Sequence, residues 1–284
     1  MVRQTLAKLE KNTALDPVGD RLQEAVQSVA KPQKLRDLLH GTWAGHPLHP
    51  VLVQVPFGAF LSAAVLDLLP GQRKAATTLV AVGVAGAVPA IATGLVDWSS
   101  LSRDQRRVGL VHAAANSVAL SLYAGSLAAR AAGKWGVGKA LAYAGLSVAG
   151  AGGYLGGHLS YEQGAGVNLA AADMQRLPSG WTELGSVASL PEGKPTVRTV
   201  EGIRILLYRL GTDVTAMIEQ CGHQGGPLGD GEVEGSGADA CVVCPWHGST
   251  FRLVDGKVQH GPSAGDQPTL RTRVQGGMLA VSPE

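Results

Sequence analysis

Aromatic residues and charge are what this 284-residue chain has least of: Phe, Trp and Tyr make up 5% of it, and Asp, Glu, Lys and Arg together only 16%. A soluble domain carries about 25% charged residues, so a large part of this chain is not built to face water. Net charge is +2 and no long Lys/Arg block occurs, so nothing argues for a nucleic-acid partner and none is expected. Cysteine is scarce as well. The three, Cys221, Cys241 and Cys244, cannot close a disulfide framework, and their clustering points to metal or redox chemistry. The first twenty residues hold no continuous apolar core and no small-residue cleavage site, so no signal peptide is expected. Neither a G-x-G-x-x-G after a strand nor a P-loop offers a nucleotide or flavin site.

Long uncharged runs are abundant instead. Residues 75–96, 108–129 and 140–160 contain no Asp, Glu, Lys or Arg, and 51–69 contain only Asp67. About 20 apolar residues cross a bilayer, so four transmembrane helices are expected, and the many Gly and Ala inside them let backbones approach closely. Lys and Arg counts give the orientation. Arg3, Lys8, Lys11, Arg21, Lys31, Lys34, Arg36, Arg103, Arg106 and Arg107 lie on one side, against Arg73, Lys74, Arg130, Lys134 and Lys139 on the other. The richer side is cytoplasmic, and four spans return the C-terminal part to it. The expected layout is an amphipathic cytoplasmic leader (1–45), a four-helix transmembrane domain (46–160), a tether (161–180) and a C-terminal domain (181–284), in the inner (plasma) membrane.

Five polar residues sit where the apolar half begins or ends its spans: His46, His49, Asp97, His112 and His158. Four segments thus converge on one expected depth, and ionisable groups at a bundle margin are costly enough to suggest a function. They could hold a haem b, with His112 and His158 the favoured axial pair, or a second metal or a quinone. They could equally do no more than cap helix ends. The stretch Gly45-His46-Pro47-Leu48-His49-Pro50, the close Thr93-Gly94-Leu95-Val96-Asp97-Trp98, and His112 with Asn116 resemble a bacterial family of small four-helix membrane domains, over roughly residues 41–160. That resemblance implies a fold and little chemistry.

Beyond residue 180 the period changes. Short runs such as Thr196-Val197-Arg198-Thr199-Val200 and Ile203-Arg204-Ile205-Leu206-Leu207-Tyr208, divided by Glu-Gly and Gly-Thr-Asp turns, predict a small all-β domain. The fold class is therefore a multidomain membrane protein, an all-α transmembrane bundle followed by an all-β domain. Between the strands lie Cys221-Gly222-His223-Gln224-Gly225-Gly226-Pro227-Leu228 and Cys244-Pro245-Trp246-His247-Gly248-Ser249-Thr250-Phe251. Cys241 and Cys244 form a C-x2-C pair from which a zinc site with His247 and Cys221 or His223 could be drawn, although a zinc ribbon wants a second pair at matched spacing.

The two segments are similar to the ligand loops of Rieske iron-sulfur domains of the ferredoxin type, over about residues 180–284. The resemblance implies a 2Fe-2S cluster with Cys221 and Cys244 on one iron and His223 and His247 on the other. Leu228 and Phe251 would shield it, Cys241 would be a buried core thiol, and His260 a surface or hairpin residue. Rieske proteins that oxidise quinols carry a bridged cysteine pair at the positions of Gly226 and Trp246, so no bridge forms here. Ser249 matches one hydroxyl donor to a cluster sulfur, and Phe251 replaces the second. Fewer such bonds imply the lower or middle part of the Rieske range of about −150 to +300 mV.

Only 37 residues follow His247, so a complete ring-hydroxylating oxygenase, with its 2-His-1-carboxylate iron, is not expected. The leading expectation is a membrane-anchored electron-transfer protein exchanging single electrons with unidentified donor and acceptor proteins or quinone. The alternatives are a cluster-based redox sensor or structural anchor, and a haem- or quinone-linked reductase.

Overall fold

The structure, a computed structural model, describes residues 2–283 and divides into two compact units that interleave along the chain. The first comprises the residues up to Lys31 together with Leu48–Ala165, the second Pro32–Pro47 together with the residues from Gly166 on.

The first unit is helical. Helices α1 (Val2–Glu10) and α2 (Asp16–Val29) precede α3 (Gln33–His40), which belongs to the second unit; α4 (His49–Leu52), α5 (Gln54–Leu68), α6 (Arg73–Trp98), α7 (Arg103–Ala131) and α8 (Trp135–Tyr161) complete the first. Helix α7 starts in a capping box between Ser102 and Gln105, which satisfies two of the N–H groups that a helix start leaves open. Among the described residues three segments are long and apolar enough to cross a membrane, His49–Leu68, α6 and α7. Helix α8, expected as the fourth span, is 27 residues long but misses that apolar threshold, because eight of its residues are glycine.

Glycines of α6 and α8 let the helices pack closely, Gly145 of α8 against the ring of Tyr123. The ring of Phe60 stacks on Tyr123 with centroids 3.5 Å apart, and Gly83 admits Phe60 so closely that a Cβ there would come within 2.3 Å of it. At the other end of α7, Arg130 and Asp67 form an ion pair whose side chains are 0% and 1% exposed, with Arg130 Nε also donating to Ser126 Oγ at 3.1 Å. The leader is no loose tail. Asp16 takes both Nε and Nη2 of Arg107 at 2.6 and 2.7 Å, and Asp20 takes Arg106 at 3.0 Å. The arginines at the start of α7 are thus paired with leader carboxylates.

The second unit is built on antiparallel strands: β1 (Thr182–Ser186), β2 (Thr196–Val200), β3 (Ile203–Leu210), β4 (Asp213–Ile218), β5 (Glu232–Glu234), β6 (Cys241–Val243), β7 (Thr250–Arg252), β8 (Val258–His260), β9 (Thr269–Gln275) and β10 (Met278–Ser282). They form a six-stranded sheet in the order β1-β10-β9-β4-β3-β2 and a four-stranded sheet β5-β6-β7-β8. Strand β3 is buried on both faces. Ile205 and Leu207 enter one core with Val214, Ala216 and Leu279, while Leu206 and Tyr208 enter the other with Cys221, Cys244 and Phe251, as the two-residue period of a strand dictates. Residues 166–180, expected as part of a free tether, fold into this unit. Ala170 and Leu177 lie in its core, helix α9 (Ala171–Arg176) sits between them, and Leu169 N–H donates to the carbonyl of Gly222 at 2.9 Å. Apolar residues at these positions override the polar, glycine-rich look of the segment.

Candidate metal centre

Two loops of the same design carry the cysteines and histidines. In the first, after β4, Cys221 N–H donates to Gly226 O at 2.8 Å and Gly225 N–H to Cys221 O at 2.9 Å; in the second, between β6 and β7, Cys244 N–H donates to Ser249 O at 2.8 Å and Gly248 N–H to Cys244 O at 3.0 Å. Each turn thus closes on the residues four and five beyond its cysteine. The fourth residue is glycine both times, with φ of +75° and +77°, a conformation that costs a side-chain-bearing residue about 1 kcal/mol or more. This equivalence explains how C-x-H and C-x2-H serve one purpose: in both, the histidine lies on the arc between cysteine and glycine.

The loops bring like side chains together. The thiols of Cys221 and Cys244 share a hydrogen bond that, with the N–H groups of Trp246 and His247, holds the Cys244 thiol below its ordinary range and, with burial, pushes Cys221 up. The imidazoles of His223 and His247 meet edge-on with centroids 5.1 Å apart. Burial first, then the charges of His247 and His40, pushes His223 down to about 3, and burial lowers His247. Both rings are neutral at physiological pH, as ligation requires.

This donor set fits a binuclear cluster. Two imidazoles on one tetrahedral metal, with metal–nitrogen bonds of about 2.0–2.1 Å and a ring centre about 1.1 Å behind each nitrogen, place the centroids about 5.2 Å apart. Among the described residues no point gathers three or more His, Cys, Asp or Glu side chains. A thiol pair and an imidazole pair side by side are the donors that a two-iron two-sulfur cluster of the Rieske type would take, one pair to each iron. Gln224 Nε2, in the first loop, is buried with no acceptor, a donor of the kind that a bound sulfide would satisfy. Leu228 and Phe251, both fully buried, pack beside Cys221 and Cys244. At the positions where a cysteine bridge would lie, the Trp246 ring closes over Gly226 instead: a Cβ on Gly226 would come within 3.1 Å of the ring and 2.7 Å of Cys244 Sγ.

Several supports carry no motif. Gln267, 2% exposed, donates to Ile218 O and Gln220 O at 2.7 Å each and accepts from Gly222 N–H at 3.1 Å, which fixes the entry to the first loop. Ser249 Oγ accepts from Ser263 N–H at 2.9 Å. No motif in the sequence marks Gln267 for this role. Cys241, expected in the core, is half-buried and donates to Asp239 O at 3.4 Å, because Val242 takes the inward position of β6. His260 is exposed, as expected, but bonds Asp37 at 2.9 Å.

The five residues of the expected polar layer do not form one cluster. His49 and His112 approach with centroids 6.4 Å apart, each Nδ1 bonded to a backbone carbonyl at 2.8 Å, of Ala90 and Gly152. His158 turns instead to Glu10 at 2.8 Å, so the axial pairing of His112 with His158 is not the one formed. His46 is exposed in the second unit, its Nδ1 3.2 Å from Pro47 O. Asp97 is half-buried in the last turn of α6.

Residues 180–271 match the family described as Rieske [2Fe-2S] domain, and residues 45–169 match a family described as predicted membrane protein (DUF2231). The 3-phenylpropionate/cinnamic acid dioxygenase ferredoxin subunit of Escherichia coli (strain K12) is 32% identical over 95 residues, 34% of this chain and 86% of that protein. The anthranilate 1,2-dioxygenase ferredoxin subunit of Burkholderia cepacia is 28% identical over 102 residues, 36% and 91% of the two chains. Cholesterol 7-desaturase nvd of Drosophila melanogaster is 35% identical over 80 residues, and the match spans only 18% of its length. The solved ferredoxin of carbazole 1,9a-dioxygenase from Nocardioides aromaticivorans IC177 aligns with 37% of this chain and all of its own at 24% identity and a TM-score of 0.34.

Proposed function

Because the chain belongs to the Rieske [2Fe-2S] family through residues 180–271, we propose that it is a membrane-anchored electron carrier working at the cytoplasmic face. The observation that carries this reading is the pair of equivalent loops presenting a thiol pair and an imidazole pair. When bound, a two-iron two-sulfur cluster supplies one-electron oxidation and reduction. Cys221 and Cys244 would hold one iron and His223 and His247 the other. Leu228 and Phe251 wall the thiol side from water, while His247 and Trp246 are exposed, leaving an imidazole edge where a carrier protein or quinone can dock. No second hydroxyl comes from Phe251, and no cysteine bridge closes the loops, which favours the lower or middle part of the Rieske range.

The helical unit serves as the anchor in this reading. Helix α8 is about 40 Å long at 1.5 Å per residue, enough to cross, and a fourth crossing brings the electron carrier to the side of the leader. The test of the ligand set compares two variants of the full chain. Cys241→Ser should retain the electron paramagnetic resonance signal of the reduced cluster, and Cys244→Ser should abolish it. Loss of the signal from both to the same extent would sink the assignment.

A further inference from the structure

The segment Pro32–Pro47 is separated in sequence from the β domain by helices α4–α8, yet it folds into the same unit and docks on β8 and the loop after it. Helix α3 lays Asp37 on the loop that follows β8. Its Oδ1 accepts from Gly261 N–H at 3.0 Å, its Oδ2 meets His260 Nδ1 at 2.9 Å, and Gln33 Nε2 holds the same carboxylate at 2.8 Å. One turn on, His40 is 4% exposed and fills the space above Gly261, where a Cβ would come within 3.1 Å of its ring. The short helical turn Thr42–Ala44 continues the contact along β8. The loop beneath is itself tied to the site, since Ser263 N–H donates to Ser249 in the second ligand loop. His40 also lies within electrostatic reach of His223. The two imidazoles differ in exposure: His223 is half-buried and His247 exposed.

We propose that residues 32–47 are a strap in cis that seals the His223 side of the ligand-loop tip, with Asp37 as its clamp and His40 as its seal, so that water and electron carriers reach the site from the His247 side alone. This rests on the cluster reading above. A two-thiolate, two-imidazole cluster gains a negative charge on reduction, and excluding water from one side disfavours that charge, as solvent exposure is one determinant of such potentials. His40 is thus a positioning residue: it touches no iron but sets what surrounds a ligand.

The test uses the full-length protein in detergent and two readouts. Hydrogen exchange at the Gly261 amide reports the clamp without reference to iron, and a redox titration followed by electron paramagnetic resonance reports the seal. Asp37→Ala should speed Gly261 exchange at least tenfold. Both Asp37→Ala and His40→Ala should move the midpoint potential upward, while His40→Phe, which refills the space, should keep it. Unchanged Gly261 exchange in Asp37→Ala overturns the strap, and so does an unchanged midpoint in His40→Ala. An equal shift in His40→Phe and His40→Ala overturns the seal. A wild-type protein with no cluster signal at all would instead refute the cluster reading, and the exchange experiment would still decide whether the strap is docked.

Discussion

Gly226→Ala tests the site at the point where its two loops touch. Gly226 does not have a positive φ, so the backbone tolerates alanine and the effect is one of space. The added Cβ would lie 2.7 Å from Cys244 Sγ and 3.1 Å from Trp246. Ordinary contact begins near 3.4 Å, so the sulfur must give way by about 0.7 Å and the ring by about 0.3 Å. Trp246 is 57% exposed and swings outward at little cost. Cys244 behaves differently in the two states: without iron its side chain rotates away, whereas as a ligand its sulfur is fixed. The strain therefore falls on the loaded state. At about 1–3 kcal/mol for overpacking a tight site, cluster retention should weaken about 5- to 150-fold. Competition with an iron chelator, read by the visible absorbance of the cluster, measures this directly. The Gly226→Ala/Trp246→Ala pair should be no better than Gly226→Ala alone, because removing the ring leaves the sulfur contact in place. Wild-type retention by Gly226→Ala, or full rescue by the second substitution, would refute the reasoning.

Two further outcomes are expected of the helical unit. Arg130→Ala leaves the fully buried Asp67 carboxylate without its partner and should cost about 3–5 kcal/mol, whereas the double change Asp67→Leu/Arg130→Leu should cost much less; detergent-phase unfolding of both variants decides it. A reporter that fluoresces only in the cytoplasm should be bright when fused after Glu284, and a dark fusion paired with an active periplasmic reporter would overturn the proposed orientation.

The ligand loops were legible because their chemistry is local. Cysteine, histidine and the turn glycine all lie within six residues, so spacing carries the geometry. The span count was less so. Uncharged length suggested four crossings, but the eight glycines of α8 trade apolar content for close packing, a difference that charge patterning does not register. The histidine layer was legible in depth alone: topology gives position along a helix, not direction around it, and His158 faces Glu10 while His112 faces Gly152. Asp37 and Gly261 were out of reach altogether. Nothing in a sequence marks a carboxylate and an amide more than 220 positions apart as partners; only the folded β unit creates the place where α3 sits.

That interleaving also sets an order of events during synthesis. The strap leaves the ribosome before helices α4–α8, and its dock on β8 and the Gly261 loop follows more than 200 residues later. At about 5–20 residues per second, some 10–40 s separate the two. Through that interval α3 lacks the loop on which Asp37 and His40 dock, and it gains that support only when the β unit forms. Any factor that binds α3 early would delay the docking of the strap, and with it the completion of the site.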